Sequence, residues 1–115
     1  MSIQIITNPI SKKELEKIAQ DQFGDWVKAV VDVDRNVMAI GGDLHADEEA
    51  VLLQDGSHQG NLWGINLWLD KGADEWIEFN SMINIRPSQH NRSRSVENED
   101  MRQKIRKVVG DLVTF

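Results

Sequence analysis

The hydrophobic period of this chain changes twice, from helical to alternating and back to helical, and that order limits the folds open to it. Ser11 opens the string SKKE, a capping-box spacing with Glu14 three residues on. Leu15, Ile18, Ala19 and Phe23 follow at helical spacing, and Gly24 stands where a C-terminal cap belongs, which predicts a helix over 11–22. At the far end Asn98 can cap a second helix, with Glu99 and Asp100 in its first turn. Met101, Ile105, Val108, Val109 and Leu112 form that helix's apolar stripe.

Between the helices the pattern is that of strands. Residues 3–6 predict a short one ahead of the first helix, before Asn8-Pro9 breaks the pattern. Val27, Ala29, Val31 and Val33 alternate with Lys28 and Asp32, and Asp34-Arg35-Asn36 turns the chain into a second arm over 37–40. LWGINLWL at 62–69 is a further strand, and WIEFNSMINIR at 76–86 the longest, ended by Pro87. Residues 43–54 fit a strand, with Leu44, Ala46, Ala50 and Leu52 on one side, or a short helix capped by Asp47; the β-rich flanks favour the strand. Short connections favour antiparallel pairing. The expected fold is α+β: a two-layer sandwich in which an antiparallel sheet of four or five strands carries the N- and C-terminal helices on one face. Residues 1–115 then form a single domain whose other sheet face is polar and open.

Composition removes several chemistries. There is no cysteine, so disulfides, thiolate metal sites and cysteine nucleophiles are excluded, in keeping with a cytoplasmic protein. No apolar stretch has the roughly 18 residues of a membrane helix, so no membrane partner is expected. The net charge is −6, with 6 Lys/Arg against 15 Asp/Glu in residues 1–85 and 7 against 4 in residues 86–115. Nucleic acid is a poor partner for so acidic a chain, and only the last quarter could attract an anion. No Walker A, GxGxxG, GxSxG or HExxH string occurs.

The strings AIGGDLHADEEAVLLQDGS, LWGINLW and WIEFNSMINIRPSQHNRS resemble an uncharacterised family of small prokaryotic proteins, known only as a domain of unknown function. The resemblance covers most of residues 12–110. It implies no activity, substrate or cofactor, and so assigns no residue a role.

Four constellations remain. His45, Asp47, Glu48 and Glu49 carry imidazole and carboxylate donors; on a strand, His45, Asp47 and Glu49 would point the same way and could hold a divalent metal that activates water. The plain alternative is a solvated acidic stretch. Arg86, Ser88, His90, Asn91, Arg92, Ser93 and Arg94 supply the guanidinium forks, hydroxyls and amides that an anionic oxygen cluster needs, or simply pair with the acidic half of the molecule. Glu78, Asn80, Asn84 and Arg86, with Lys28 and Asp32 as neighbours, would form a polar face on the last strand; asparagine is depleted in strands, so this face asks for an explanation. Trp26, Trp63, Trp68 and Trp76 offer aromatic surface. On alternation Trp63 and Trp68 point to opposite faces and Trp76 to the polar one. The leading expectation is a binding module for a small anionic ligand, using Arg86, Ser88, Asn91, Arg92, Glu78, Asn80 and Asn84. A tryptophan-bearing interface, such as a homodimer, and a metal-dependent hydrolase are the alternatives.

Overall fold

The computed structural model describes residues 3–115. Seven strands and three α-helices follow in the order β1 (Gln4–Ile6), β2 (Ile10–Ser11), α1 (Lys12–Gln22), β3 (Trp26–Asp32), β4 (Val37–Ile40), α2 (His45–Gln54), β5 (Leu62–Trp68), β6 (Ile77–Glu78), α3 (Glu99–Leu112) and β7 (Val113–Thr114), with short 3₁₀ turns at Gln59–Asn61, Met82–Asn84 and Pro87–Gln89. Five strands make an antiparallel sheet in the order β1-β4-β3-β5-β6, so the fold is α+β as expected. The two-residue strands β2 and β7 pair in parallel as a separate clip. Among the described residues no helix is long and apolar enough to cross a membrane.

Local signals act where the sequence places them. Ser11 Oγ accepts from the Glu14 amide at 3.1 Å, and Asn98 Oδ1 accepts from Met101 at 2.9 Å, so both terminal helices start on their predicted caps. Gly24, at φ 99°, ends α1 by donating to the Ala19 carbonyl. Asn36 takes φ 57° in the β3–β4 turn. Asp32 ties that turn together, its Oδ1 accepting from the Asp34 and Arg35 amides at 2.9 Å each.

The main core lies on the sheet face covered by α1 and α3. Val27, Ala29 and Val31 of β3 and Trp63, Ile65 and Leu67 of β5 meet Leu15 and Ala19 of α1 and Ile105, Val108 and Leu112 of α3. The second face is not open. Residues 43–54, expected as a strand, form helix α2, whose Leu52 joins Val30, Val37, Ala39 and Leu62 in a smaller core on that face. Gly41, at φ 95°, and Gly42 end β4, and the following residues are mostly good helix formers with Asp47 and Glu48 in the first turn. The alternation that favoured a strand fails at its first member, since Leu44 is 55% exposed.

The long strand expected over 76–86 is also replaced. Only Ile77 and Glu78 pair with β5; the chain then leaves the ladder and turns at Met82–Asn84. Ser81 and Asn84 are the cause: Ser81 Oγ caps the turn by accepting from the Ile83 amide, and the Asn84 amide goes to a strand 20 residues earlier. The segment 81–97 wraps around the free edge of β5, with Ile83 against the second-face core and Val96 in the main one. Trp76, expected on a polar face, is buried in the main core edge-on to Phe115 at 5.2 Å. Trp63 and Trp68 do point to opposite faces.

Candidate functional site

Three of the residues expected to bind a ligand, Asn84, Arg86 and Asn91, hold the 81–97 segment in place. Arg86, 9% exposed, donates from Nε to the Ile83 carbonyl at 3.0 Å and from Nη1 to the Gln59 carbonyl at 2.8 Å and Gln89 Oε1 at 3.3 Å. Its Nη2 donates to the Leu62 carbonyl and lies 3.6 Å from Glu49 Oε2. The guanidinium stacks 4.8 Å from the Trp63 ring centre. Burial lowers its pKa and Glu49 opposes that, so the charge is anchored within the chain. Asn84 is fully buried and donates to the Gly64 and Arg94 carbonyls while accepting from the Gly64 amide. Asn91 donates to the carbonyls of Asn84, Ser93 and Ser95 and accepts from the Glu97 amide. Glu78 Oε1 accepts from Asn66 Nδ2 at 2.9 Å and Trp68 Nε1 at 3.1 Å. Asn80 offers its carbonyl to Asn66. Ser88 and Arg92 are exposed.

The acidic set is separated by the helix. On α2, His45 and Glu48 face inward, Glu49 leans toward Arg86, and Asp47 is exposed. The common direction that a strand would have given His45, Asp47 and Glu49 is therefore lost. Among the described residues no group of three or more His, Asp or Glu side chains is disposed to hold a metal ion.

What the fold brings together instead is a cleft of about 180 Å³ between the start of α2 and the 81–94 segment, lined by Lys28, Leu44, His45, Ala46, Ser81, Met82, Ile83 and Arg94. Lys28 comes from β3, where alternation turns it to the second face beside Asn66 of β5. Its Nζ lies 5.4 Å from the Phe23 ring centre and 5.9 Å from that of Trp26, in a stacked row in which Trp26 also meets Trp68. Ser81 reaches the cleft because Gly64 beneath it has no side chain; a Cβ there would stand 2.5 Å from Ser81 Cβ. Neither Lys28 nor Arg94 makes an ion pair among the described residues.

Two groups at this end of α2 are held neutral. His45 Nε2 lies 2.8 Å from the Ile65 carbonyl. A carbonyl only accepts, so Nε2 carries the proton and Nδ1 keeps its lone pair. Burial lowers the imidazole pKa, with Lys28 and Arg94 adding to the effect against the bonds to Ile65 and Asn66. Glu48 is fully buried, and burial pushes its pKa up to about 9 although the Gly42 amide donates to Oε2 at 3.0 Å. It is a carboxylic acid at neutral pH. Helix α2 starts at Leu44 with no side-chain cap.

Of the cleft residues, Lys28, His45 and Arg94 stand in the sequence as polar candidates of three different groups, and no spacing joins them. Ser81 looks there like a gap in an apolar row, and Glu48 carries no sign of its burial. A family model described as Protein of unknown function (DUF5674) matches residues 4–112. No curated protein and no solved structure matches the chain.

Proposed function

We infer, for a chain that belongs to the family described as Protein of unknown function (DUF5674), that the cleft at the start of α2 binds a small oxyanion, a carboxylate or a phosphate. The observation that carries this reading is the convergence of Lys28 and Arg94, both without an acidic partner among the described residues, on a helix start that no side chain caps. Helix N-termini favour anions through their free amides and the macrodipole. Asp47 is the one first-turn carboxylate left to compete, because Glu48 is protonated. Ser81 adds a hydroxyl to the cleft wall. The cleft is below the roughly 300–1,000 Å³ of sites for drug-sized molecules, which suits a small anion better than a nucleotide. Arg86, Asn84 and Asn91 serve this site by fixing the segment that carries Ser81 and Arg94.

The test is thermal unfolding with inorganic phosphate and with succinate, against sodium chloride at matched ionic strength. A ligand that binds only the folded state raises its stability by about 2.7 kcal/mol at one hundred times Kd, which appears as a rise of several degrees in Tm. Lys28→Ala and Arg94→Ala should each diminish the rise, and Arg106→Ala on the far helix should not. A rise that chloride reproduces, or that survives the Lys28→Ala/Arg94→Ala double variant, overturns the reading.

A further inference from the structure

Four of the eight residues that line the cleft at the start of α2 are apolar: Leu44, Ala46, Met82 and Ile83. Five large apolar side chains stand exposed among the described residues, and two of them, Leu44 at 55% and Met82 at 66%, belong to this one cleft. One comes from each side of it, Leu44 from the cap position of α2 and Met82 from the first residue of the Met82–Asn84 turn. Their backbones are held. The Asp47 and Glu48 amides both donate to the Leu44 carbonyl, and Ser81 Oγ caps the turn by accepting from the Ile83 amide. A single exposed leucine or methionine is ordinary on a protein surface, but two on the walls of one concavity are what a site for an organic ligand presents.

The charge in the cleft is of one sign. No carboxylate lines it, and its two cations, Lys28 and Arg94, make no ion pair among the described residues. Burial is the main cause of the lowered His45 pKa and both cations lower it further, so their field reaches the first residue of α2. The Arg94 backbone is fixed, its carbonyl accepting from the Ser81 amide at 3.0 Å and from Asn84 Nδ2 at 3.0 Å. An inorganic anion would answer the cations and leave Leu44 and Met82 in water. A neutral hydrocarbon would cover those side chains and leave the cations unanswered. A ligand with one anionic end and one apolar end answers both.

We propose that the cleft takes a short-chain monocarboxylate, its carboxylate toward Lys28 and Arg94 and its hydrocarbon chain on Leu44, Ala46, Met82 and Ile83. This rests on the oxyanion reading of the same cleft and goes beyond it by assigning the uncharged part of the ligand. Volume sets the chain length: a cavity of about 150 Å³ holds one benzene ring, so a cleft of about 180 Å³ suits a ligand of about six carbons. Each methylene taken out of water strengthens binding by up to about fourfold. Methylenes that extend past the cleft stay in water and add nothing.

The experiment follows the backbone amide resonances of Leu44, His45 and Ala46 in the ¹⁵N-labelled protein. The titrants are acetate, butyrate, hexanoate, decanoate, hexanamide and inorganic phosphate, at constant pH and ionic strength. Affinity should rise by about two- to fourfold per methylene from acetate to hexanoate and then level off at decanoate. Hexanamide, which has the chain without the charge, should bind several-fold more weakly than hexanoate. Met82→Ser should cut the gain from acetate to hexanoate several-fold, whereas Leu53→Ser, at an exposed apolar position of α2 outside the cleft, should leave that gain unchanged. If acetate or phosphate binds and hexanoate binds no better than acetate, the monocarboxylate proposal falls and the oxyanion reading stands. If no anion of the series shifts these resonances, both fall. The proposal is also overturned if affinity keeps climbing to decanoate, which marks a lipid-like surface, if hexanamide matches hexanoate, or if Met82→Ser keeps the full chain-length gain.

Discussion

Asn84 engages Gly64 with both ends of its side chain, Oδ1 accepting from the amide at 2.8 Å and Nδ2 donating to the carbonyl at 2.9 Å. This is the pairing a neighbouring strand would make, delivered by one residue. Its Nδ2 also reaches the Arg94 carbonyl at 3.0 Å, which fixes the end of the segment that carries a cleft cation. Asn84→Ala leaves the amide and the carbonyl of one buried glycine without partners, while the Arg94 carbonyl keeps the Ser81 amide. At about 1–3 kcal/mol for each buried group left unsatisfied, the loss should reach about 2 kcal/mol or more in urea unfolding. Ser88→Ala, at an exposed position a few residues on, should stay within about 0.5 kcal/mol of wild type. The same accounting explains Arg86. Its type and its place in a polar loop advertise an anion site, while its carbonyl acceptors at Gln59, Leu62 and Ile83 make it a brace.

At the scale of elements, close approach decides where the second face is built. Ser81 sits on Gly64, and a methyl group on that glycine would reach 2.5 Å from Ser81 Cβ and 3.1 Å from Ile83 Cγ1. Gly64→Ala should therefore destabilise by about 1–3 kcal/mol, the usual range for overpacking. It should also weaken phosphate binding, because Ser81 and Arg94 are joined by a 3.0 Å backbone bond and shift together. The elements that the sequence reveals are those whose signals are local. The caps at Ser11 and Asn98, the turn at Asn36, the stop at Gly24 and the strands over 26–32 and 62–68 all rest on neighbours within a few residues. Residues 43–54 and 76–86 rest on distant ones. Leu44 and Ala46 alternate correctly with Ala50 and Leu52, yet Leu52 alone is needed by a core, and two glycines have already ended the sheet. Asn84 and Arg86 find their partners at Gly64 and Leu62, and nothing in the sequence couples those positions. For the same reason the cleft residues Lys28, His45, Ser81 and Arg94 were legible only as separate polar groups.

For the whole molecule, covering the sheet on both faces has an electrostatic cost that pH makes visible. Glu48 has a folded pKa raised from 4.5 to about 9, so the folded state holds a proton that the unfolded state releases. Stability from this group is complete below pH 4.5 and declines as pH rises toward 9. With each pKa unit equivalent to about 1.4 kcal/mol, Glu48→Gln should gain on the order of 3 kcal/mol at pH 7 and almost nothing at pH 4, in urea unfolding at the two pH values. His45 acts in the opposite direction. Its folded pKa lies below 6.5, so its contribution is present above pH 6.5 and is lost as pH falls through that value toward the folded pKa. His45→Gln should flatten the decline on the acid side. The same molecule has a sheet whose fifth strand is paired along β3 but meets β6 at only two residues. Asn84 occupies the outward amide and carbonyl of Gly64, and Arg86 the carbonyl of Leu62, so the bare rungs of that strand are blocked by side chains. Such rungs are where a foreign strand would add and where fibrils begin. Asn84 and Arg86 thus act as guards against self-association, and a chain that lost either would fail first by clumping at moderate concentration, ahead of any loss of its helices.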